Sequence, residues 1–140
     1  MKYAANITIR SRIDLKPKGA ETGIALVTIV DGDNFIILNS GANDFLTPDA
    51  IENKRDMISK ADYVVMQLEI PIETVMRTVQ IAKENNTKVV LNPAPYKELP
   101  EGLLSLVDIL IPNEYEAEAL TGICLSDKNK CISDVRELML

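Results

Sequence analysis

The sequence predicts an α/β fold: a mostly parallel sheet layered with helices, preceded by an antiparallel β-hairpin. Three short apolar runs, at 63–68, 88–91 and 109–111, alternate with helical patterns. Strands separated by helices pair in parallel through right-handed crossovers. Ahead of them, two β-forming runs flank Asp31-Gly32, a strong short-range hairpin signal.

Length and composition bound the rest. The 140 residues suit a single domain with a buried core, with a hairpin over about 22–40 and an α/β part over about 44–140. An apolar content of 46% and a charged content of 26% fit a globular chain. The net charge of −6 argues against a nucleic-acid partner, because phosphate binding leaves a basic footprint. There is no histidine, which excludes Ser-His-Asp and Cys-His nucleophile pairs and any His metal ligand. Two cysteines, Cys124 and Cys131, cannot complete a four-ligand zinc site. Their spacing permits a loop disulfide, but with no secretory context two reduced thiols are the plainer reading. No apolar run approaches the roughly 20 residues that span a bilayer, and the N-terminus lacks a signal peptide's apolar block. These features predict a cytoplasmic protein with no membrane partner.

Taken in order, residues 6–10 alternate like a strand, and Lys16-Pro17-Lys18-Gly19 has loop chemistry. The first hairpin strand runs through 24–30 and the second through 35–38. Asn39 to Asn43 leaves the hairpin through small, turn-prone residues. Thr47-Pro48 opens a helix, with Thr47 as N-cap and Pro48 at the first helical position. That helix carries Ile51, Met57 and Ile58 and is expected to end near Lys60. The run 63–68 is nearly continuously apolar, which suits a strand covered on both faces. Residues 72–86 place Ile72, Val75, Met76, Val79 and Ala82 at helical spacing. A second strand at 88–91 stops at Asn92-Pro93-Ala94-Pro95. A short helix at 101–106 and a third strand at 109–111 follow. Pro112 breaks the chain, Asn113 opens a helix, and Gly122 stops it. Residues 124–130 read as a loop, and 133–140 as the start of one more helix.

In open parallel sheets, ligands gather beyond the carboxyl ends of the strands. All three strands end in a hydrogen-bonding residue, Glu69, Asn92 and Asn113, and those positions should line one rim. A carboxylate and two amides in one crevice suit a polyhydroxylated or phosphorylated ligand; each can equally terminate a strand or cap a helix. Glu69 could accept hydrogen bonds from sugar hydroxyls, or could simply complement the dipole of the helix near Ile72. Asn113 and Glu116 have the spacing of a capping box. In the functional alternative, Asn113 contacts phosphate oxygens and Glu116 holds Mg²⁺ through water, since Mg²⁺ keeps much of its hydration shell. No P-loop and no Gly-x-Gly-x-x-Gly is present.

Five segments, in order, carry a resemblance. They are Thr22-Gly23-Ile24-Ala25-Leu26, Ser40-Gly41-Ala42-Asn43, Gln67-Leu68-Glu69-Ile70-Pro71, Leu91-Asn92-Pro93-Ala94-Pro95, and Pro112-Asn113-Glu114 continuing to Ile123. Together they resemble the ribokinase-like carbohydrate kinases over almost all of 22–123. The resemblance implies ATP- and Mg²⁺-dependent phosphorylation of D-ribose at its 5-hydroxyl. It also implies a partial αβα sandwich whose hairpin is a lid over the sugar and a homodimer contact. Glu69 matches the family's sugar-binding glutamate. Asn113 and Glu116 match its Asn-x-x-Glu motif for ATP phosphates and Mg²⁺, with Glu116 at the metal.

The family's N-terminal Gly-rich sugar-binding region is not found in the sequence. Nor is the C-terminal half, with its Gly-Ala-Gly-Asp anion hole, catalytic aspartate, adenine pocket and K⁺ loop. No residue here is therefore assigned as catalytic, and the chain reads as a central fragment expected to be inactive alone. Two alternatives are a non-catalytic binding or dimerisation module that pairs through its hairpin, and a kinase for another sugar or a nucleoside.

Overall fold

The computed structural model of the chain describes residues 19–30 and 33–122. The expectations for 6–10, the turn at 31–32, the loop at 124–130, the cysteine pair and the helix at 133–140 lie outside the described residues.

The hairpin forms as expected. Strands β1 (Ile24–Val30) and β2 (Asp33–Asn39) pair antiparallel, with Val30 opposite Asp33 and Ile24 opposite Asn39. At the base of the hairpin the entering and leaving strands cross closely. A Cβ on Gly23 would stand 2.8 Å from the Ser40 carbonyl oxygen, and one on Gly41 only 2.7 Å from that of Glu21. Gly41 also has φ +53°, a left-handed conformation open to glycine at little cost. The turn-prone stretch after β2 is more regular than expected: residues Gly41–Phe45 wind into a 3₁₀ turn.

The expected helix from Pro48 to Lys60 is instead two short ones, α1 (Pro48–Glu52) and α2 (Arg55–Ser59). Thr47 caps α1 as anticipated, accepting the Ala50 N–H at 3.3 Å, with Pro48 in the first turn. The break falls at Asn53-Lys54, and asparagine is a weak helix former because its amide competes for backbone groups. Ile51 and Ile58 are buried against the core, whereas Met57 is exposed. Charge holds the two pieces in place. Arg55 bonds both Glu52 and Glu84 at 2.6 Å, and Arg77 bonds Glu52 at 2.7 Å.

Strands β3 (Tyr63–Met66), β4 (Lys88–Leu91) and β5 (Ile109–Leu110) make a parallel sheet in the order β3-β4-β5. Helix α3 (Ile72–Glu84) makes the first crossover. The second carries a 3₁₀ turn at Leu104–Leu106 where a helix over 101–106 was expected. Two right-handed crossovers stepping the same way along a sheet lie on the same face. That geometry corrects the expectation that β3 is covered on both sides. Val64 and Met66 pack toward the core, while Tyr63 and Val65 are 56% and 70% exposed. Val90 and Ile109 share Val65's row across the sheet.

The core lies between the sheet and α3. Val75, Val79 and Ala82 of α3 meet Val89 and Leu91 of β4, closed by Leu68, Leu103 and Val107. Leu68, Leu91 and Leu103 are fully buried, and each contributes about 2 kcal/mol by leaving water. The buried threonines are satisfied: Thr74 donates to the Leu46 carbonyl at 2.6 Å and Thr87 to that of Ile58 at 2.9 Å. The first of these ties the segment leaving the hairpin to α3.

Helix α4 (Glu114–Thr121) follows β5 and ends at Gly122, which adopts the left-handed C-cap conformation at φ +70°. Asp108, at the entry to β5, accepts from Lys83 at 2.6 Å, Lys88 at 2.8 Å and the Val89 N–H at 2.8 Å. One carboxylate thereby ties α3, β4 and β5 together. Burial pushes its pKa up, but these donors outweigh that and hold it well below the usual carboxylate range.

Candidate functional site

The carboxyl ends of the three strands are stitched into one rim. The Asn92 N–H donates to the Met66 carbonyl at 3.0 Å, and the Ile111 N–H to that of Leu91 at 2.9 Å. Beyond β3, the Leu68 N–H donates to the Ala94 carbonyl at 2.9 Å. The loops after β3 and β4 are therefore pinned to each other. Glu69 follows Leu68, whose fully buried side chain anchors that loop in the core.

Glu69 opens into a pocket of about 180 Å³. Its walls come from three places: Ala25, Leu38 and Asn39 at the hairpin base, Asn43 in the 3₁₀ turn, and Pro95 and Lys97 in the loop after β4. A carboxylate, two amides and an ammonium thus surround apolar wall atoms. That mixture suits a small polyhydroxylated molecule, whose hydroxyls donate and accept while its C–H faces rest on apolar side chains. The Gly23 and Gly41 contacts hold the hairpin base in this position, because a side chain at either would push the strands apart.

Neither Asn43 nor Lys97 stands out as an individual site residue in the sequence. Asn43 closes the segment Ser40-Gly41-Ala42-Asn43, whose signal is that of a turn. Lys97 carries no periodic or motif signal, and only the path of the loop after β4 brings it to the pocket.

Asn92 behaves differently from its neighbours on the rim. Its Oδ1 is buried and has no hydrogen-bond partner among the described residues. A buried carbonyl oxygen without a donor costs about 1–3 kcal/mol, so this position favours a ligand or water that donates to it.

Asn113 and Glu116 lie at the end of β5 and do not line the Glu69 pocket. They form the reciprocal capping box that their spacing suggested. Asn113 Oδ1 accepts the Glu116 N–H at 2.8 Å, Glu116 Oε2 accepts the Asn113 N–H at 2.8 Å, and Oε1 accepts the Asn113 side-chain amide at 3.0 Å. Glu116 is 6% exposed. Among the described residues, no three acidic or cysteine side chains cluster to hold a metal ion directly. Glu116, with lone pairs left free on its two oxygens, is the residue that would hold a hydrated Mg²⁺ through water. None of the described helices is long and apolar enough to cross a membrane.

Comparison with known proteins identifies the family. The sequence profile of the pfkB family carbohydrate kinases matches residues 1–139. A ribokinase of Staphylococcus aureus (strain COL) is 46% identical over 115 residues, which are 81% of this chain and 38% of that protein. Among solved structures, the crystal structure of Sa239 superposes with a TM-score of 0.76 at 43% identity, covering 86% of this chain and 40% of that one. An Arabidopsis thaliana ribokinase, solved in complex with ribose and ATP, superposes with a TM-score of 0.73 at 28% identity, covering 86% and 39%. The chain spans well under half the length of these relatives. Its residues, its mixed antiparallel and parallel sheets and its profile agree: the chain belongs to the pfkB family of carbohydrate kinases.

Proposed function

We propose that this chain forms part of a ribokinase-type active site, in which ATP phosphorylates the 5-hydroxyl of D-ribose. The observation that carries this reading is the pocket that joins Glu69 to the base of the hairpin. In this reading 22–40 is a lid and 44–140 the α/β part of one domain, in a cytoplasmic protein.

Glu69 accepts hydrogen bonds from sugar hydroxyls. A carboxylate accepts without donating, so it fixes which oxygens face it and orients the ring. Ala25 and Leu38 cover the sugar from the hairpin side and exclude water. At the other end of the rim, Asn113 meets the nucleotide phosphates and Glu116 holds Mg²⁺ through its water shell. Bound there, Mg²⁺ supplies neutralisation of the charge on the transferring phosphoryl group. The buried Oδ1 of Asn92, just past the strand between the two ends, accepts from a ligand hydroxyl or bound water. Taking the proton from the sugar hydroxyl needs a general base. We assign that role to no residue of this chain, so the 140 residues alone bind rather than turn over. A coupled ADP-release assay with ribose, ATP, Mg²⁺ and K⁺ checks this; turnover well above background overturns it.

Calorimetry tests the sugar assignment. D-Ribose is expected to bind, fructose and adenosine to bind more weakly, and Glu69→Gln to weaken ribose about tenfold, the scale of a hydrogen bond to a charged group. Equal affinity for all three ligands, or for wild type and E69Q, refutes a ribose site at Glu69.

A second reading concerns assembly. Leu26, Val27, Ile29, Ile36 and Ile37 are each between 48% and 73% exposed, and they lie on both faces of a two-stranded ribbon, since neighbours alternate in facing. Such a ribbon rarely stands alone in water. We infer a homodimer through the hairpin, an arrangement compatible with either a kinase or a non-catalytic module. A solution mass of one chain at high concentration is the result that excludes it.

A further inference from the structure

We infer that Lys97 is a second polar contact for the sugar, a positioning residue that donates to a hydroxyl oxygen in the pocket that Glu69 also lines. The inference rests on the sugar reading of that pocket and extends it to a residue that no motif marks.

Lys97 and Glu69 line the same pocket. The Lys97 ammonium is held beside the Glu69 loop: Nζ donates to the Ile70 carbonyl at 3.4 Å, and Ile70 directly follows Glu69. The two loops are further pinned by the 2.9 Å bond from the Leu68 N–H to the Ala94 carbonyl. Among the described residues, neither Glu69 nor Lys97 belongs to an ion pair, although Asp108, Glu52 and Glu84 all do. Two opposite charges therefore share one small cavity without meeting.

The hydrogen-bonding capacity left over is specific in kind. An ammonium offers three donors, and the single long bond to Ile70 leaves most of that capacity free. A carboxylate offers only acceptors. A sugar hydroxyl is both donor and acceptor, so one ring can give a hydrogen to Glu69 and take one from Lys97. Ala25, Leu38 and Pro95 line the remaining wall and suit the ring's C–H faces. The two charges cancel, which matches an uncharged polyol.

The test is calorimetry of the full 140-residue chain with D-ribose, alongside thermal unfolding, for wild type, K97M, K97R and E69Q. The expected result is ribose binding by wild type, about tenfold weaker binding by K97M, and near wild-type binding by K97R, with unchanged unfolding midpoints. If E69Q weakens binding and K97M does not, the Lys97 inference is wrong and the pocket reading stands. Equal weakening by K97R and K97M also overturns the inference, because a packing role would then explain both. No ribose binding by wild type overturns the inference and the pocket reading together.

Discussion

Glu116 holds Asn113 through two bonds, its Oε2 on the backbone N–H at 2.8 Å and its Oε1 on the side-chain amide at 3.0 Å. The same contacts that cap α4 also fix the amide and carboxylate in one orientation at the end of β5. Capping and ligand binding are thus separable only by measurement. Asn113→Ala removes the cap and is expected to cost about 1 kcal/mol in urea unfolding. Glu116→Gln places an amide where two N–H groups point, losing at least one bond. If Glu116 serves the metal, E116Q also abolishes the gain in nucleotide affinity produced by adding Mg²⁺. An undiminished Mg²⁺ gain in E116Q reduces Glu116 to a cap.

The hairpin base supplies a second expectation. Gly41→Ala adds a Cβ 2.7 Å from the Glu21 carbonyl oxygen at a residue with φ +53°, so steric conflict adds to backbone strain. Gly122 has a comparable φ of +70° but nothing within 4 Å of its Cβ position. Gly122→Ala therefore carries the strain alone, about 1–2 kcal/mol. G41A should be the more damaging of the two. It should also speed amide exchange across β1 and β2 and weaken ribose binding. Equal costs for the two variants count against a clash at the hairpin base.

The exposed ribbon gives a third. Ile29→Lys places a charge on a residue 73% exposed, so a monomer tolerates it within about 0.5 kcal/mol. A dimer that buries this ribbon does not. The expected outcome is a halved solution mass by light scattering with an unchanged fold by circular dichroism. An unchanged dimeric mass would place the interface elsewhere.

Much of this architecture is legible in the sequence because local signals act locally. The two β-forming runs pair as a hairpin, Thr47-Pro48 starts α1, and Asn113 with Glu116 and Gly122 bounds α4 at both ends. The misread features depend on arrangement in space. The apolar run at 63–68 looks the same whether one face or two are covered, and only the same-side crossovers show that Tyr63 and Val65 stay exposed. The break at Asn53 is a weak local preference that periodicity overrides. In the candidate site, Glu69 and the capping pair stand at strand ends and could be picked out. Lys97 and Asn43 reach the pocket through tertiary folding of their loops, which no spacing encodes.

Asp108 provides the pH dependence. Its pKa is held below the usual carboxylate range by Lys83, Lys88 and the Val89 N–H, so the folded chain keeps this carboxylate charged under acid that protonates the unfolded one. Its contribution is complete above the unfolded value of about 4 and is lost as pH falls from there through the folded value. The slope stays below the one-proton limit of about 1.4 kcal/mol per pH unit, because Lys88 is 59% exposed and screened by solvent. Asp108→Asn leaves two ammonium groups without their shared counter-charge and is expected to cost about 1–3 kcal/mol near neutral pH. In urea unfolding at pH 7, 5 and 3, the gap between wild type and D108N should hold from 7 to 5 and narrow by 3. Added salt should narrow it only in part, since Lys83 is 33% and Asp108 18% exposed. A gap that stays constant down to pH 3 would show that the Asp108 bonds act through geometry rather than charge.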